Sequence, residues 1–411
     1  MRTRLCMRKL TDDPGNLLAP VFPAYRQTLI EGRYVSDIQG RYFAAVFHFG
    51  DWLRSSGIGI QLVRHEHICD FLQSHLPTCT SKRHTHSDPK HYRSALQLLE
   101  RVMQTHGFAV PKPTTAIDAE LQAFDIKMKQ VWGYADSTRS ARCRTIKRFL
   151  SKCFNSQSID LANTSPDDLE RFILGDGNRG SSSARWISGS IRCYLRYRQL
   201  LGDDVSHLMR AMPTLARANP PALPEVLTDA EVAALLNAFR GDFPRRRRAF
   251  AIARCLIDLG LRSSEVAGLT LDDIDWDLGT IRVANRKGRR ADVMPLLAPT
   301  GEAIANYVQK ERPSTTCRNT FVRTSAPVGQ PVGRRAVQAT MLAAYDRLGW
   351  DRSRVHVLRH TLATRLLSAG TPMPIIADVM RHRSLSTTVI YTRLDTAWLT
   401  AVSLAWPGDI Q

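Results

Sequence analysis

Val355-His356-Val357-Leu358-Arg359-His360-Thr361 opens the stretch that decides how this chain is read, and the stretch runs on to Tyr391. An apolar helical pattern continues through Leu362, Leu366 and Leu367 to Gly370, and Arg381-His382-Arg383-Ser384 and then Tyr391 follow. Imidazoles, a permanent cation and a phenol therefore share one short span. A guanidinium matches phosphate oxygens with a planar fork, and an imidazole can carry a proton near neutral pH. A tyrosine beside them can attack phosphorus. Taken alone, the same residues also suit a basic, partly buried helix pair, so the decision lies with the rest of the chain.

The totals favour the phosphate reading. The 411 residues carry 57 Lys and Arg against 38 Asp and Glu, a formal net charge of +19, which attracts polyanions over long range. Nucleic acid is the first candidate partner. A hydrophobic fraction of 43% supports real cores, and the length calls for more than one domain. No apolar run approaches a membrane span, and Met1-Arg2-Thr3-Arg4-Leu5-Cys6 lacks a secretory apolar stretch, so a cytoplasmic, nucleoid-associated protein is expected. The eight cysteines are scattered without a CxxC pair and read as free thiols. His65, His67, Cys69, His75, Cys79, His84, His86 and His91 do crowd together, but without the matched ligand pairs of structural zinc sites, and no metal is assigned to them.

Along the chain, a leader (1–24) precedes a helical module at 25–112. Phe43, Phe47, Trp52 and Leu53 mark one helix, Ile68, Phe71 and Leu72 a second, and Leu96, Leu99 and Met103 a third. A second module at 116–212 repeats the order about a hundred residues later. Tyr134, Ile146, Phe149 and Leu150 echo Tyr34, Phe47, Trp52 and Leu53, and Ser165-Pro166-Asp167-Asp168 has the composition of a helix start. In this second copy Arg185, Arg192, Arg196 and Arg198 interleave with Trp186, Tyr194 and Tyr197, with no acid between Gly180 and Leu201. That pattern predicts a DNA-contacting helix.

A proline-rich linker (213–224) leads to Thr228-Asp229-Ala230-Glu231, a capping box that opens a third domain at 225–411. An apolar helix from Phe250 to Leu259 stops at Gly260, Ser263 or Ser264 begins the next helix, and Arg262 sits in the turn between them. Thr280–Asn285 and Ala291–Leu296 alternate as two strands of a β-hairpin whose tip holds Arg286, Lys287, Gly288 and Arg289.

In their order and approximate spacing, Gly260-Leu261-Arg262-Ser263-Ser264-Glu265, the Lys287 hairpin, His356-Val357-Leu358-Arg359-His360-Thr361, His382 and Tyr391 resemble the catalytic motifs of tyrosine recombinases, the phage-integrase family. The resemblance spans about Pro224 to Tyr391; the helical modules are only loosely similar to the family's core-binding domain. It implies a mainly α fold with a small antiparallel sheet in a multidomain DNA clamp, and a site-specific recombinase or integrase serving a mobile element. Tyr391 would be the nucleophile that forms a 3′-phosphotyrosyl link. Arg262 and Arg359 would hold the non-bridging oxygens, Lys287 would protonate the leaving 5′-oxygen, His356 would assist proton transfer and His382 would bond a phosphate oxygen. Arg286 and Arg289 would add DNA contacts. No cofactor is implied, because the covalent link conserves the phosphodiester's energy. Double-stranded DNA is the expected partner, with a tetramer on two synapsed duplexes and further recombinases as possible companions. A non-catalytic DNA-binding helper and a type IB topoisomerase-like enzyme are the rival readings. The chain departs from the family pattern twice: Arg381 stands where a glycine is usual, and Asp292 where a basic residue is common.

Overall fold

The computed structural model describes residues 15–79, 88–108, 115–154, 159–175, 180–215, 224–284, 291–382 and Thr388. The fold is mainly helical with one small antiparallel sheet. It divides into two compact units, Met1–Pro111 with Leu223–Gln411, and Lys112–Ala222.

Helices Phe22–Glu31, Ser36–Ser55, His65–Asp70 and Pro89–Thr105 enclose a core that includes Tyr25, Phe43, Phe49, Phe71, Tyr92 and Leu96. The last of them begins as its sequence dictates, with the Asp88 carboxylate accepting from the Lys90 N–H (2.9 Å) and Pro89 at the first helical position. Within the same unit the Val328 N–H donates to the Gly32 carbonyl (3.1 Å) and Arg33 Nη1 to that of Ser314 (3.1 Å).

The second unit has the same order of four longer elements, Ala116–Gln130, Asp136–Cys153, Pro166–Leu174 and Ser181–Leu200, around Phe124, Phe149, Phe172 and Tyr194. Ser165 caps its helix as expected, accepting from the Asp167 N–H (3.2 Å). The chain enters the second helix of each set through one extended residue, Val35 (φ −65°, ψ 149°) and Ala135 (φ −62°, ψ 147°). The register of the echo differs from the sequence reading. Val46 and Phe49 are fully buried, as are Ile146 and Phe149 a hundred residues on, whereas Phe47 and Trp52 lie at the core's margin. Aromatic content pointed to the wrong partners because a helix face is set by position, and Phe47 and Trp52 fall beside the core stripe.

From Leu227 to Leu358 a third core gathers Leu235, Ile252, Leu256, Tyr307, Phe321 and Tyr345. The Thr228–Glu231 capping box forms as read, with the Thr228 N–H donating to Glu231 Oε2 (2.8 Å) and the Glu231 N–H to Thr228 Oγ1 (3.2 Å). The expected hairpin pairs β2 (Thr280–Ala284) with β3 (Ala291–Pro295) from Thr280↔Pro295 to Ala284↔Ala291. A two-residue strand, β1 (Ile274–Asp275), completes the sheet in the order β1-β2-β3. It is too short to leave a period-two signal in the sequence. Among the described residues no helix is long and apolar enough to cross a membrane.

Candidate active site

The site is organised around the turn at Gly260. Helix Arg246–Ile257 ends just before it, and Gly260 takes φ +55°, with Leu362 and Met380 packed so closely that a Cβ would meet each at 2.8 Å. Glycine is required there on both counts. Arg262 follows in extended conformation at the N-cap of helix Ser263–Gly268, which Ser263 begins as expected. Its N–H donates to Glu265 Oε2 (2.8 Å) and its Nη1 to Glu265 Oε1 (2.6 Å), while Nη2 donates to the Arg381 carbonyl (3.1 Å). Glu265 thus fixes both the backbone and the head of Arg262.

Arg359 projects from helix His356–Ser368 and is 2% exposed. Its Nη1 donates to the Gly260 carbonyl, so the glycine turn positions both arginines of the motif. A cleft of about 220 Å³ opens beside them, lined by Arg262, Ser263, Ser264, His356 and Arg359, with Arg334 and Gln338 from helix Arg334–Arg347. Sequence reading missed Arg334 and Gln338. Gly333-Arg334-Arg335 looks only like a helix start, and nothing local says which cleft it will face.

Three histidines feel this positive charge. The His356 and His360 rings lie 5.2 Å apart and nearly parallel, at 27°. Burial, then Arg359 and Arg262, lowers the pKa of His356. Burial, then His356 and Arg359, brings His360 down to about 4. His382 also falls to about 4, through burial and then Arg359 and Arg262, and its Nδ1 lies 2.8 Å from Thr388 Oγ1. At neutral pH His360 and His382 are uncharged, so the site's fixed charge is guanidinium and its imidazoles are proton carriers or hydrogen-bond partners.

Arg381, the first departure from the family pattern, occupies the left-handed region at φ +49°. That is the backbone state in which glycine is at ease and another residue is strained by roughly 1–2 kcal/mol. The side chain is 4% exposed; Nη2 donates to Glu265 Oε2 (3.1 Å), Nη1 to the Val379 carbonyl (3.0 Å) and toward Met294 Sδ (3.3 Å). Burial would favour a neutral Glu265, yet Arg381, the Arg262 N–H and the Arg262 guanidinium together hold its carboxyl below the usual range. Burial above all lowers the pKa of Arg381; Glu265 is the main group that opposes it, and Asp292, the second departure, adds the smallest opposing field. The first departure thus adds a buried cation whose ion-pair partner is Glu265.

Of the residues singled out from sequence, Arg262, His356 and Arg359 line one cleft, and the charges of Arg262 and Arg359 act on His382. Arg286, Lys287, Arg289 and Tyr391 lie outside the described residues. On helix Ser181–Leu200, Arg185, Arg192 and Arg196 are exposed at spacings of seven and four, which is one helical face. Arg198 is turned inward: Nη1 donates to Glu120 Oε1 (2.9 Å) and Nε pairs with Asp203. These acids lie outside the acid-free segment on which its expected DNA role was read.

Comparison with known proteins agrees with this geometry. Residues 225–397 match the sequence profile of the phage integrase family. The Sinorhizobium fredii (strain NGR234) protein y4rA, named as an integrase/recombinase, is 31% identical over 371 residues, covering 88% of each chain. The tyrosine recombinase XerD of Yersinia pestis is 34% identical over 247 residues, 58% of this chain and 80% of its own. Among solved structures, XerH site-specific recombinase bound to palindromic difH substrate superposes with a TM-score of 0.53 at 18% identity, over 81% of this chain and 93% of the other. The chain belongs to the phage integrase family, the tyrosine recombinases.

Proposed function

We propose that the protein is a site-specific DNA recombinase of a mobile element that cuts and rejoins duplex DNA through a 3′-phosphotyrosyl intermediate. The observation that carries this reading is the convergence of Arg262 and Arg359 on the cleft that also receives His356. Phosphodiester cleavage is slow chiefly because charge must gather on phosphorus-bound oxygens, and preorganised cations in a water-poor site lower that barrier. Arg359 is oriented by the Gly260 carbonyl and Arg262 by Glu265, so neither has to reorganise when the anion forms.

In this reading the Tyr391 oxygen attacks phosphorus, the bond to the 5′-oxygen breaks, and the DNA 3′ end is left on the tyrosine. A phenol of ordinary pKa near ~10 must lose its proton on the way, and neutral His356 is the acceptor we assign. Lys287 returns a proton to the leaving 5′-oxygen. His382 donates to a non-bridging oxygen. Reversal of the same steps on a different strand gives exchange with no nucleotide cofactor. The reading takes 25–112 and 116–212 as DNA-embracing helical modules and 225–411 as the catalytic domain; it is supported by a separate main hydrophobic core in each stretch, with a further small cluster of Ala363, Ile376 and Met380 in the last. It assigns a cytoplasmic tetramer on two synapsed duplexes, with Arg185, Arg192, Arg196, Arg286 and Arg289 as DNA contacts.

The test is a nicked suicide duplex built from the DNA flanking the encoding gene. Wild-type protein is expected to accumulate a covalent adduct and Tyr391→Phe none. An adduct with the variant, or none with wild type, overturns the reading; relaxation of a single supercoiled circle without strand exchange identifies a topoisomerase instead.

A further inference from the structure

The recombinase chemistry leaves one polar cluster unused. In the N-terminal helical module, His48 from helix Ser36–Ser55, His75 at the end of the π-helical turn Phe71–His75, and Cys79 four residues later bring their ligand atoms together, all within 4.8 Å of one another. His48 Nε2 is 3.1 Å from His75 Nε2 and 3.5 Å from Cys79 Sγ. A tetrahedral ion bound through imidazole nitrogen and thiolate sulfur sets such donors roughly 3.3–3.6 Å apart. Two heteroatoms converging on one ring nitrogen is a poor hydrogen-bond arrangement, since that nitrogen offers one in-plane hydrogen or one lone pair.

The surroundings suit a metal. His48 Nδ1 lies 3.1 Å from the Tyr92 hydroxyl, a partner that sets the ring's orientation and leaves Nε2 as the ligand atom. His48 is 2% exposed, with Phe71 edge-on to its ring at 5.0 Å, and the Trp52 ring lies 6.1 Å from that of His75. The π-helical turn is an uncommon local geometry that often accompanies a functional site. We propose that His48, His75 and Cys79 bind a zinc ion that fastens the segment after residue 70 to helix Ser36–Ser55. Two imidazoles and a thiolate are a borderline-soft donor set appropriate to zinc, and the fourth position is left to water or one further donor. The sequence could not assemble this set, because His48 lies well before the dense His/Cys run and its neighbours in sequence are the aromatics Phe47 and Phe49.

The experiment uses the full-length protein purified without a metal-binding tag. Metal analysis is expected to find about one zinc per chain, reduced several-fold in Cys79→Ser and in His75→Ala. After removal of the metal, added Co²⁺ should give wild type the thiolate charge-transfer band and visible bands of a four-coordinate site, and Cys79→Ser should lose the former. Because the cobalt spectrum is read on wild type, a misfolded variant does not blur the result. Wild type that carries no zinc and develops no thiolate–cobalt band overturns the proposal. Both readouts are independent of DNA cleavage, so failure here and failure of the recombinase reading are separable.

Discussion

The surroundings of the Gly260 turn and the helix Ser181–Leu200 are both rich in arginine, and they treat it in opposite ways. Around the Gly260 turn Arg262, Arg359 and Arg381 are each held by an acceptor of the chain: a carboxylate, a glycine carbonyl, and both Glu265 and the Val379 carbonyl. On the helix Arg198 is tied to Glu120 and Asp203, while among the described residues no hydrogen bond or ion pair is found at exposed Arg192 or Arg196. Anchored guanidiniums supply geometry, and unanchored ones supply charge. The contrast predicts which substitutions keep charge yet lose function, and which do not.

Glu265 is the point at which the contrast breaks most severely. Glu265→Ala removes the acceptor shared by Arg262 and the deeply buried Arg381, and orphaning a buried charge costs about 3–5 kcal/mol. Urea denaturation should register that loss. Arg381→Gly should cost clearly less, because Glu265 keeps Arg262 and the turn sheds left-handed strain of roughly 1–2 kcal/mol. Equal destabilisation by the two would mean that Glu265 does not organise the cleft.

Next in size is the loss of the planar fork. Arg359→Lys retains a cation but cannot donate to the Gly260 carbonyl and a phosphate oxygen in the same fixed plane. Single-turnover adduct formation should fall about 10²–10³-fold, the cost of removing one preorganised donor. Arg192→Lys, which keeps all that the helix position supplies, should stay within about twofold of wild type. A large effect of the helix substitution would place geometric recognition there as well.

The neutral histidines give a smaller effect with a defined sign. The pKa of His360 and of His382 falls to about 4 in the folded protein, through burial first. Against an unfolded value near ~6.5, the unfolded chain binds more protons between these limits, so stability is full above ~6.5 and declines as pH falls toward ~4. Thermal melts across that window should show a falling midpoint, with a shallower slope in His360→Gln. An unchanged slope would mean that His360 is not desolvated as its burial indicates.

Much of the cleft was legible because the chemistry of phosphate forces particular residues into short motifs. Arg262, His356 and Arg359 could be named from residue type and order, and Gly260 from its place after an apolar helix. Glu265 stood inside the same motif but showed no sign of its task, since an acid in a helix's first turn is ordinary. Arg381 and Asp292 were visible only as departures. What Arg381 packs against needs β3 and the turn after helix Met373–Val379 to meet in space, as its approach to Met294 across 87 residues of chain records. The ion pairs of Arg198 were hidden for the mirror reason: its acids come from the helix Ala116–Gln130 and from just beyond Leu201. Local sequence reports what a residue can do, and long-range packing decides whether it remains available.

That last point sets the finest test of the contrast. If Arg192 and Arg196 contribute charge alone, each →Ala substitution should weaken binding to unrelated duplexes uniformly and reduce the slope of log affinity against log salt by about 0.9 for every phosphate no longer neutralised. Arg198→Ala should leave that slope unchanged. Its guanidinium is engaged by Glu120, which also accepts from the Tyr194 hydroxyl (2.8 Å), so its removal should appear instead as a lowered melting temperature. A salt slope that responds to Arg198 would show that the ion pair opens to release the arginine to DNA, and the division between anchored and unanchored arginines on this helix would then be a property of the unbound protein only.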